Sequence, residues 1–230
     1  MKPAPGPKRR VRAADATRQR LLRAAFEEIY RHGFQSASLD RILGRAGVTK
    51  GALYHHFQDK TALGYAVVEE VGTKALERWL GPLRSADTDS LTALQSAFRR
   101  IAATLDERDI ELGCPLNNLA QEMSPIDPQF RRRIEGTFAA WRAGYARAIR
   151  RAQKEGIVRK DVNPRKVAAF LVAAAEGSFG TGKSAASRAM LGSNLEMLAD
   201  WLETLRLTPR RSPKRTRKTT TSVDGSRKVH

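Results

Sequence analysis

The chain has 230 residues and a mass of 25.5 kDa, enough for one large domain or two small ones with their own cores. Lysine and arginine total 42 against 24 acidic side chains, and the resulting net charge of +18 is typical of proteins that bind polyanions. A single cysteine excludes a disulfide-stapled secreted fold and indicates a reducing compartment. The sequence has no signal-like or membrane-spanning apolar stretch, so we expect a soluble, cytoplasmic protein with no membrane partner.

The charge is concentrated at the two ends of the chain. Residues 1–12 carry five basic and no acidic side chains, and residues 208–230 carry eight basic and one acidic. Both segments lack the periodic apolar residues whose burial would offset the entropy of ordering. We therefore predict disordered basic arms at 1–12 and 208–230 that add non-specific affinity for nucleic acid or simply solubility.

Between the arms, apolar residues recur at helical spacing, and strand-like alternation is missing, which predicts an all-α fold. The first predicted helix has Asp15 as a possible cap and ends at Gly33. Its apolar face consists of Leu21, Leu22, Ala25, Phe26 and Ile29.

Three further helix starts follow in close succession. Ser38 is a plausible N-cap for a two-turn helix that stops before Gly47. Thr49 can cap a short helix from residue 50 to about 56, and Asp59 can cap a longer helix that follows. Two short capped helices after an amphipathic one form the pattern of a helix-turn-helix, which presents its second short helix outward.

The second short helix has a distinctive exposed side. Leu53 and Phe57 are four residues apart and can face a core, which leaves Tyr54 outward with Lys50, Gly51 and His55. A glycine costs about 1 kcal/mol against alanine in such a helix, so its presence indicates that another surface, such as DNA, comes very close. His56 is expected to be structural, and an alternative explanation for the aromatic residues is a small local core.

Residues 17–63 resemble the DNA-binding domain of TetR-family repressors. The resemblance rests on Ser-Leu-Asp-Arg-Ile-Leu at 38–43, Ala-Gly-Val-Thr-Lys-Gly-Ala-Leu-Tyr-His-His-Phe at 46–57 and Asp-Lys-Thr-Ala-Leu at 59–63. It implies that Tyr54 and Lys60 contact phosphates of double-stranded DNA, assisted by Ser38 and Arg41. It also implies that base edges or the adjoining backbone face Thr49, Lys50, Gly51, Ala52 and His55.

The rest of the chain predicts a longer helical body. The expected helices span about 89–108, 114–123, 127–155, 163–180 and 186–206, the fourth ending at a glycine cluster around Gly180. In the resembled family such a body encloses a small-molecule pocket and forms a homodimer through its last two long helices. An apolar run at 167–179 fits this role, but the core of a monomer would give the same pattern. The same holds for a stripe on the last helix formed by Leu191, Leu195, Leu198, Trp201, Leu202 and Leu205.

A ligand pocket would be lined by inward-facing aromatic and polar residues of the middle helices, although an ordinary core with satisfied amides has the same composition. The candidates are Phe98, Leu105, Cys114, Leu116, Asn117, Gln121, Phe138, Trp141 and Tyr145.

Cys114 lies in a Gly-Cys segment similar to that of the TetR branch containing NemR-type, electrophile-responsive repressors. The resemblance implies that a helix N-terminus, helped by the ammonium of Lys183, lowers the thiol pKa and makes a reactive sensor. The alternative is that Cys114 is a small buried hydrophobe.

Residues 177–184 match the phosphate-loop pattern G-x-x-x-x-G-K-[ST]. That loop needs a preceding β-strand, whereas the residues before it are rich in alanine and helical in character, so we assign the match to a helix end and its connection. The four histidines lack metal-site spacing and no catalytic constellation is evident, so we expect no metal, no cofactor and no enzymatic activity.

Together these features predict a homodimeric DNA-binding regulator, with a helix-turn-helix domain at 13–60 and a ligand-binding and dimerisation domain at 61–207. An unidentified small-molecule inducer would release it from a palindromic operator, with repression the expected sign of control. The alternatives are a P-loop nucleotide-binding protein and a non-specific DNA-coating protein.

Overall fold

The computed structural model describes residues 7–84 and 88–207, with side chains from residue 14 onward. The described residues form a 3-10 helix at Gly81–Leu83 and the α-helices α1 (Pro7–His32), α2 (Leu39–Ala46), α3 (Lys50–His56), α4 (Lys60–Leu80), α5 (Ser90–Ala103), α6 (Glu107–Glu111), α7 (Pro115–Met123), α8 (Pro128–Lys154), α9 (Pro164–Ser184) and α10 (Arg188–Glu203).

Extended pairing within these ranges is limited to one isolated bridge, between Val158 and Arg206, so the predicted all-α class is confirmed. None of the described helices is long and apolar enough to cross a bilayer. The basic tail at 208–230 and residues 1–6 of the N-terminal arm lie outside the described residues.

Helix α1 begins earlier than the sequence predicted. It starts at Pro7, so residues 7–12 are helical rather than disordered, and Asp15 lies inside the helix instead of capping it. Lysine, arginine and alanine have high helix propensity, and proline is favoured at a helix start. Apolar periodicity misses such a segment because few of its side chains are apolar.

The short helices begin and end where their capping residues predict. The hydroxyl oxygens of Ser38 and Thr49 and the carboxylate of Asp59 each accept a backbone N–H three residues later, at the starts of α2, α3 and α4. Gly47 turns the chain between α2 and α3 with a left-handed φ of 62°. Each cap stabilises its helix by about 1 kcal/mol.

The first of two hydrophobic cores lies under the helix-turn-helix. It joins α1, α2, α3 and the first half of α4, and it also includes Leu116 and Leu119 of α7 and Phe130 and Ile134 of α8. Because α4 runs from 60 to 80 and α7 packs into this core, the head and body meet through shared apolar packing.

The second core lies among α4, α5, α8, α9 and α10. The predicted apolar stripe of the last helix faces this core, since five of its six members are buried there and only Trp201 is partly exposed. The stripe is therefore core of a single chain, and the surface that remains free on α9 and α10 is a different one.

Two helix boundaries in the body differ from the sequence prediction. The helix expected at 89–108 is divided into α5 and α6, because Asp106 and Asp109 form a reciprocal capping box that starts a new helix. Helix α9 continues past Gly180 to Ser184. Its glycines do not break it, since alanine-rich flanks and tertiary packing outweigh their lower propensity.

Candidate DNA-binding face and ligand site

Helix α3 presents the exposed face that the sequence predicted. Leu53 and Phe57 are buried, whereas Tyr54 is 47% exposed and stands beside exposed Lys50 and His55. Thr49 and Gly51 are also exposed, and Ala52 is half-buried. The structure thus brings the predicted base-facing residues onto one side of a two-turn helix.

The three remaining predicted DNA contacts already have partners within the chain. The ammonium of Lys60 donates to the carbonyl of Gln35 at 2.9 Å and lies 5.0 Å from the ring centroid of Phe34. Arg41 is paired with Glu28, and the hydroxyl of Ser38 is used as a helix cap. These contacts orient the side chains at the starts of α2 and α4.

Glu28 is a site residue that the sequence analysis missed. Its carboxylate is 1% exposed and accepts the Arg41 Nε–H at 2.6 Å and the Ser38 backbone N–H at 3.1 Å. Burial raises the pKa of Glu28, but these hydrogen bonds outweigh it and the pKa lies below its usual value. The available signal was an acidic residue on the apolar face of the first helix.

Helix α7 is connected to the head by hydrogen bonds to backbone groups. The carboxylate of Glu122 accepts the backbone N–H groups of Phe34 and Gln35, each at 2.8 Å. At the other end of α7, the hydroxyl of Tyr30 donates to the carbonyl of Gly113. Helix α1 and the loop that follows it are therefore tied to both ends of α7.

Helix α6 adds a further connection between body and head. The guanidinium of Arg108 donates two hydrogen bonds of 3.0 Å to the carboxylate of Glu27 on α1. It also lies 5.1 Å from the ring centroid of Tyr30. A bidentate pair of this kind fixes orientation as well as distance.

A cavity of about 140 Å³ lies between the head and the body. Its apolar wall is formed by Phe26, Val71, Ala75, Trp79, Cys114, Pro115 and Phe179. Two ion pairs also line it, Lys74 with Glu70 at 3.2 Å and Arg78 with Asp109 at 2.8 Å. The charged side chains of the lining thus neutralise one another within the protein.

A separate open groove of about 450 Å³ runs between α1, α4 and α7. Gln121, Glu122 and Lys183 line it together with Tyr30. Gln121, predicted as a pocket residue, therefore lines this outer groove rather than the cavity beside Cys114.

The structure brings together only part of the predicted pocket set. The rings of Phe98 and Trp141 lie 5.7 and 5.9 Å from that of Tyr145, in the second core. Phe138 stacks on Trp141 at 6.4 Å. The other candidates are dispersed, with Leu116 in the first core, Leu105 elsewhere in the second and Asn117 half-buried on α7.

The surroundings of Cys114 contradict the expected low thiol pKa. Burial and the neighbouring carboxyl of Glu176 raise the pKa well above its usual value, and the backbone N–H groups of Asn117 and Leu116 lower it too little to compensate. Lys183 packs its alkyl stem against Gly113 and lines the outer groove. The helix N-terminus is present as predicted, but desolvation is the larger effect.

Glu176 is the second residue that the sequence analysis missed. It is 7% exposed, and its carboxylate oxygens have no hydrogen-bond partner among the described residues other than the weakly donating thiol of Cys114. Burial raises the pKa of Glu176 to about 7, and the contact with Cys114 lowers it only in part. The indole N–H of Trp141 and the hydroxyl of Tyr145 are also buried without partners. The sequence signal was one acidic residue inside the apolar run at 167–179.

The phosphate-loop match is helical throughout. Residues 177–184 form the last two turns of α9, and the residues before them belong to the same helix. A phosphate-binding loop needs a strand, a turn and a new helix N-terminus. The structure therefore gives no support to nucleotide binding at this segment.

Comparison with known proteins identifies both parts of the chain. The profile described as "Bacterial regulatory proteins, tetR family" matches residues 21–67, and "Tetracyclin repressor-like, C-terminal domain" matches residues 90–193. The repressor DhaR of Mycobacterium sp. (strain GP1) is 28% identical over 72% of this chain and 82% of its own length. The regulator AcuR of Cereibacter sphaeroides is 29% identical over 73% of this chain and 76% of its own length.

Solved structures show the same architecture. A regulatory protein TetR from Rhodobacter sphaeroides superposes with a TM-score of 0.71 at 27% identity, over 79% of this chain and 96% of that one. Reduced E. coli NemR superposes with a TM-score of 0.74 over 84% of this chain and 98% of that one. Because the sequence identity is 22%, this likeness concerns the fold alone. With its head and body each matched to the corresponding TetR domain, the chain belongs to the TetR family of DNA-binding transcriptional regulators, which are not enzymes.

Proposed function

We propose that this regulator is a repressor that binds a palindromic operator as a homodimer and is released by a small-molecule inducer. The helix-turn-helix domain would occupy residues 13–60 and the ligand-binding and dimerisation domain residues 61–207. The exposed face of α3, the middle one of three successive capped helices, is the observation that carries this proposal. The relative DhaR is itself named a transcriptional repressor.

In this proposal α3 enters the major groove. Thr49, Lys50, Gly51, Ala52 and His55 face base edges or the adjoining backbone, and phosphates are contacted by Tyr54, Lys60, Ser38 and Arg41. Gly51 supports this arrangement, since a Cβ at that position would meet only the Thr49 hydroxyl, at 3.9 Å. Packing within the chain does not require a glycine there, whereas close approach of DNA would.

The free surface of α9 and α10 supports the dimer. Phe170 and Met197 are 48% and 64% exposed, and the Phe170 ring packs on Trp201 at 4.9 Å. Gly177 and Gly180 lie on the same outer side of α9, where an added Cβ would touch nothing within 4 Å. Exposed aromatic and thioether side chains beside glycines suit the close approach of the same two helices of a second copy.

Helix α7 supplies a route for release. It starts beside Cys114 in the cavity wall, and Glu122 near its other end holds the loop that leads into α2. A ligand that favours a displaced α7 would change the separation of the two heads and weaken operator binding. By reciprocity, bound operator must weaken ligand binding by the same factor.

Selection of bound sequences from random duplex DNA, with the full chain at near-physiological salt, tests the proposal. We expect a palindrome with two half-sites, because a two-fold protein places two α3 helices in successive major grooves. Lys50→Ala should weaken binding to that operator by about tenfold, and Lys154→Ala, which removes an equal charge at the far end of α8, should not. Binding without sequence preference would contradict the proposal and favour DNA coating by the basic arms.

A further inference from the structure

We propose that the cavity beside Cys114 takes a small, neutral, apolar molecule of about the size of one aromatic ring, and that it discriminates against ligands with an ionised group. The inference rests on the proposed function for its biological meaning, since the ligand would be the inducer. Binding itself can be measured without DNA.

The ionised side chains that line the cavity are already paired with one another. Lys74 pairs with Glu70 at 3.2 Å, and the guanidinium of Arg78 donates to both carboxylate oxygens of Asp109, at 3.0 and 2.8 Å. A charged ligand would lose its hydration in the cavity and would have to break one of these pairs to gain a counter-ion. A neutral apolar ligand has neither cost, so the lining discriminates by charge.

Cys114 adds apolar surface to the wall and no charge. Its thiol donates to the carboxyl of Glu176, which is not among the residues that line the cavity. Burial of the thiol raises its pKa, so it stays protonated. A cysteine in such surroundings behaves as a small, polarisable hydrophobic side chain.

Aromatic rings form much of the remaining wall. Phe26, Trp79 and Phe179 line the cavity, and the rings of Trp79 and Phe179 meet edge to face with their centroids 6.3 Å apart. The cavity volume of about 140 Å³ is close to that of an apolar protein cavity, about 150 Å³, that stays dry and binds benzene. One substituted benzene ring, or a short chain of similar volume, therefore matches both the size and the lining.

The location of the cavity would let such a ligand act on the head directly. Phe26 lies on α1, and its ring stacks on that of Tyr30 at 5.4 Å. The hydroxyl of Tyr30 donates to the carbonyl of Gly113, two residues before α7 begins at Pro115. A molecule in the cavity would therefore contact α1 through Phe26 and the start of α7 through Pro115.

Calorimetric titration of the full chain with three probes of similar size tests the proposal. The probes are toluene, benzylamine and benzoate at about pH 7, where the first is neutral, the second cationic and the third anionic. We expect saturable binding of toluene at one site per chain. Both charged probes should bind at least about tenfold more weakly, because their desolvation is not compensated.

A substitution that fills the cavity tests its location. Ala75 is half-buried on α4 and lines the cavity. Ala75→Leu should lower the affinity for toluene by about tenfold or more, because the added carbons occupy the space of the ring. Ala140→Leu is the matched control, since Ala140 is half-buried on α8 and does not line the cavity.

Absence of saturable toluene binding, equally tight binding of a charged probe, or an unchanged toluene affinity in Ala75→Leu would each overturn the proposal. The comparison of probes on the wild-type chain decides the matter even if the variant does not fold. Failure here with a palindromic operator still selected would leave the repressor proposal standing. Loss of operator selection would count against the repressor proposal alone.

Discussion

Glu28 and Glu176 are both buried carboxylates, yet their pKa values move in opposite directions. Burial raises the pKa of each, but Glu28 also accepts hydrogen bonds from Arg41 and the Ser38 backbone, which lower it below the usual value. Glu176 has no comparable donor, so burial is the larger effect. The difference separates a carboxylate that fixes the helix-turn-helix from one that is buried beside a thiol without a strong donor.

The raised pKa of Glu176 predicts how stability depends on pH. Its pKa rises from 4.5 in the unfolded chain to about 7 in the folded one, so across that window the folded state binds more protons. The free energy of unfolding must therefore fall as pH rises, by about 2 kcal/mol between about pH 5 and pH 8 for this group. Glu176→Gln should lose this dependence and become the more stable protein at pH 8.

Urea denaturation of both proteins at the two pH values measures the difference. Other groups titrate equally in wild type and variant, so their contributions cancel in the comparison. If the free energies of unfolding of wild type and Glu176→Gln changed with pH by the same amount, Glu176 would not be desolvated in the folded chain.

At the residue scale, the sequence was informative where the physical cause is local. The caps at Ser38, Thr49 and Asp59 and the inward placement of Leu53 and Phe57 follow from neighbouring positions, and the structure confirms them. The low thiol pKa that the resemblance implied for Cys114 is not supported, whereas the alternative of a buried side chain is, because burial and a carboxyl on α9, which raise the pKa, come from tertiary packing. The pairings of Glu28 and Glu122 depend on packing in the same way.

At the scale of elements, α7 is the helix that connects the cavity to the head. The charge-assisted hydrogen bonds from Phe34 and Gln35 to Glu122 are each worth about 1.5 kcal/mol or more. Glu122→Ala should therefore lower the free energy of unfolding by about 3 kcal/mol. It should also make the Phe34 and Gln35 amides exchange with solvent about tenfold faster or more.

Hydrogen exchange resolved to single amides, together with denaturation, checks this expectation. Glu122→Gln keeps one strong acceptor oxygen and should give an intermediate result, whereas Glu107→Ala on α6 should alter neither amide. Unchanged protection of Phe34 and Gln35 in Glu122→Ala would mean that α7 does not hold the loop.

Helices α6 and α9 show why element boundaries were harder to predict than elements. A capping box between Asp106 and Asp109 starts a helix within what the apolar spacing presents as one. In α9, Gly177 and Gly180 lie on the outer surface and Gly182 packs against Leu191, and the helix continues through all three. Apolar periodicity identifies the face of a helix that is buried, but it does not fix where neighbouring helices start and stop.

At the scale of the whole molecule, the free face of α9 and α10 predicts the oligomeric state. Wild type should sediment as a dimer, at about twice the 25.5 kDa of one chain. Met197→Glu should give a folded monomer, because the side chain is 64% exposed in one chain and a dimer would bury two carboxylates there. A monomer contacts one half-site, so operator affinity should fall by at least about tenfold.

Ile126→Glu is the matched control for this experiment. Ile126 is 57% exposed in the turn between α7 and α8, away from α9 and α10, and the substitution should leave both the mass and the operator affinity unchanged. Dimers of Met197→Glu at micromolar concentration would place the subunit interface on another surface.

The positions of the three tryptophans have a practical consequence. Trp79 and Trp141 lie 4.6 Å apart in the core, with Trp79 in the cavity wall, whereas Trp201 packs on Phe170 at the outer face of α9 and α10. Intrinsic fluorescence therefore carries two separate signals, one for occupancy of the cavity and one for pairing of subunits. With Trp201→Phe the emission would report on the cavity alone, without any external label.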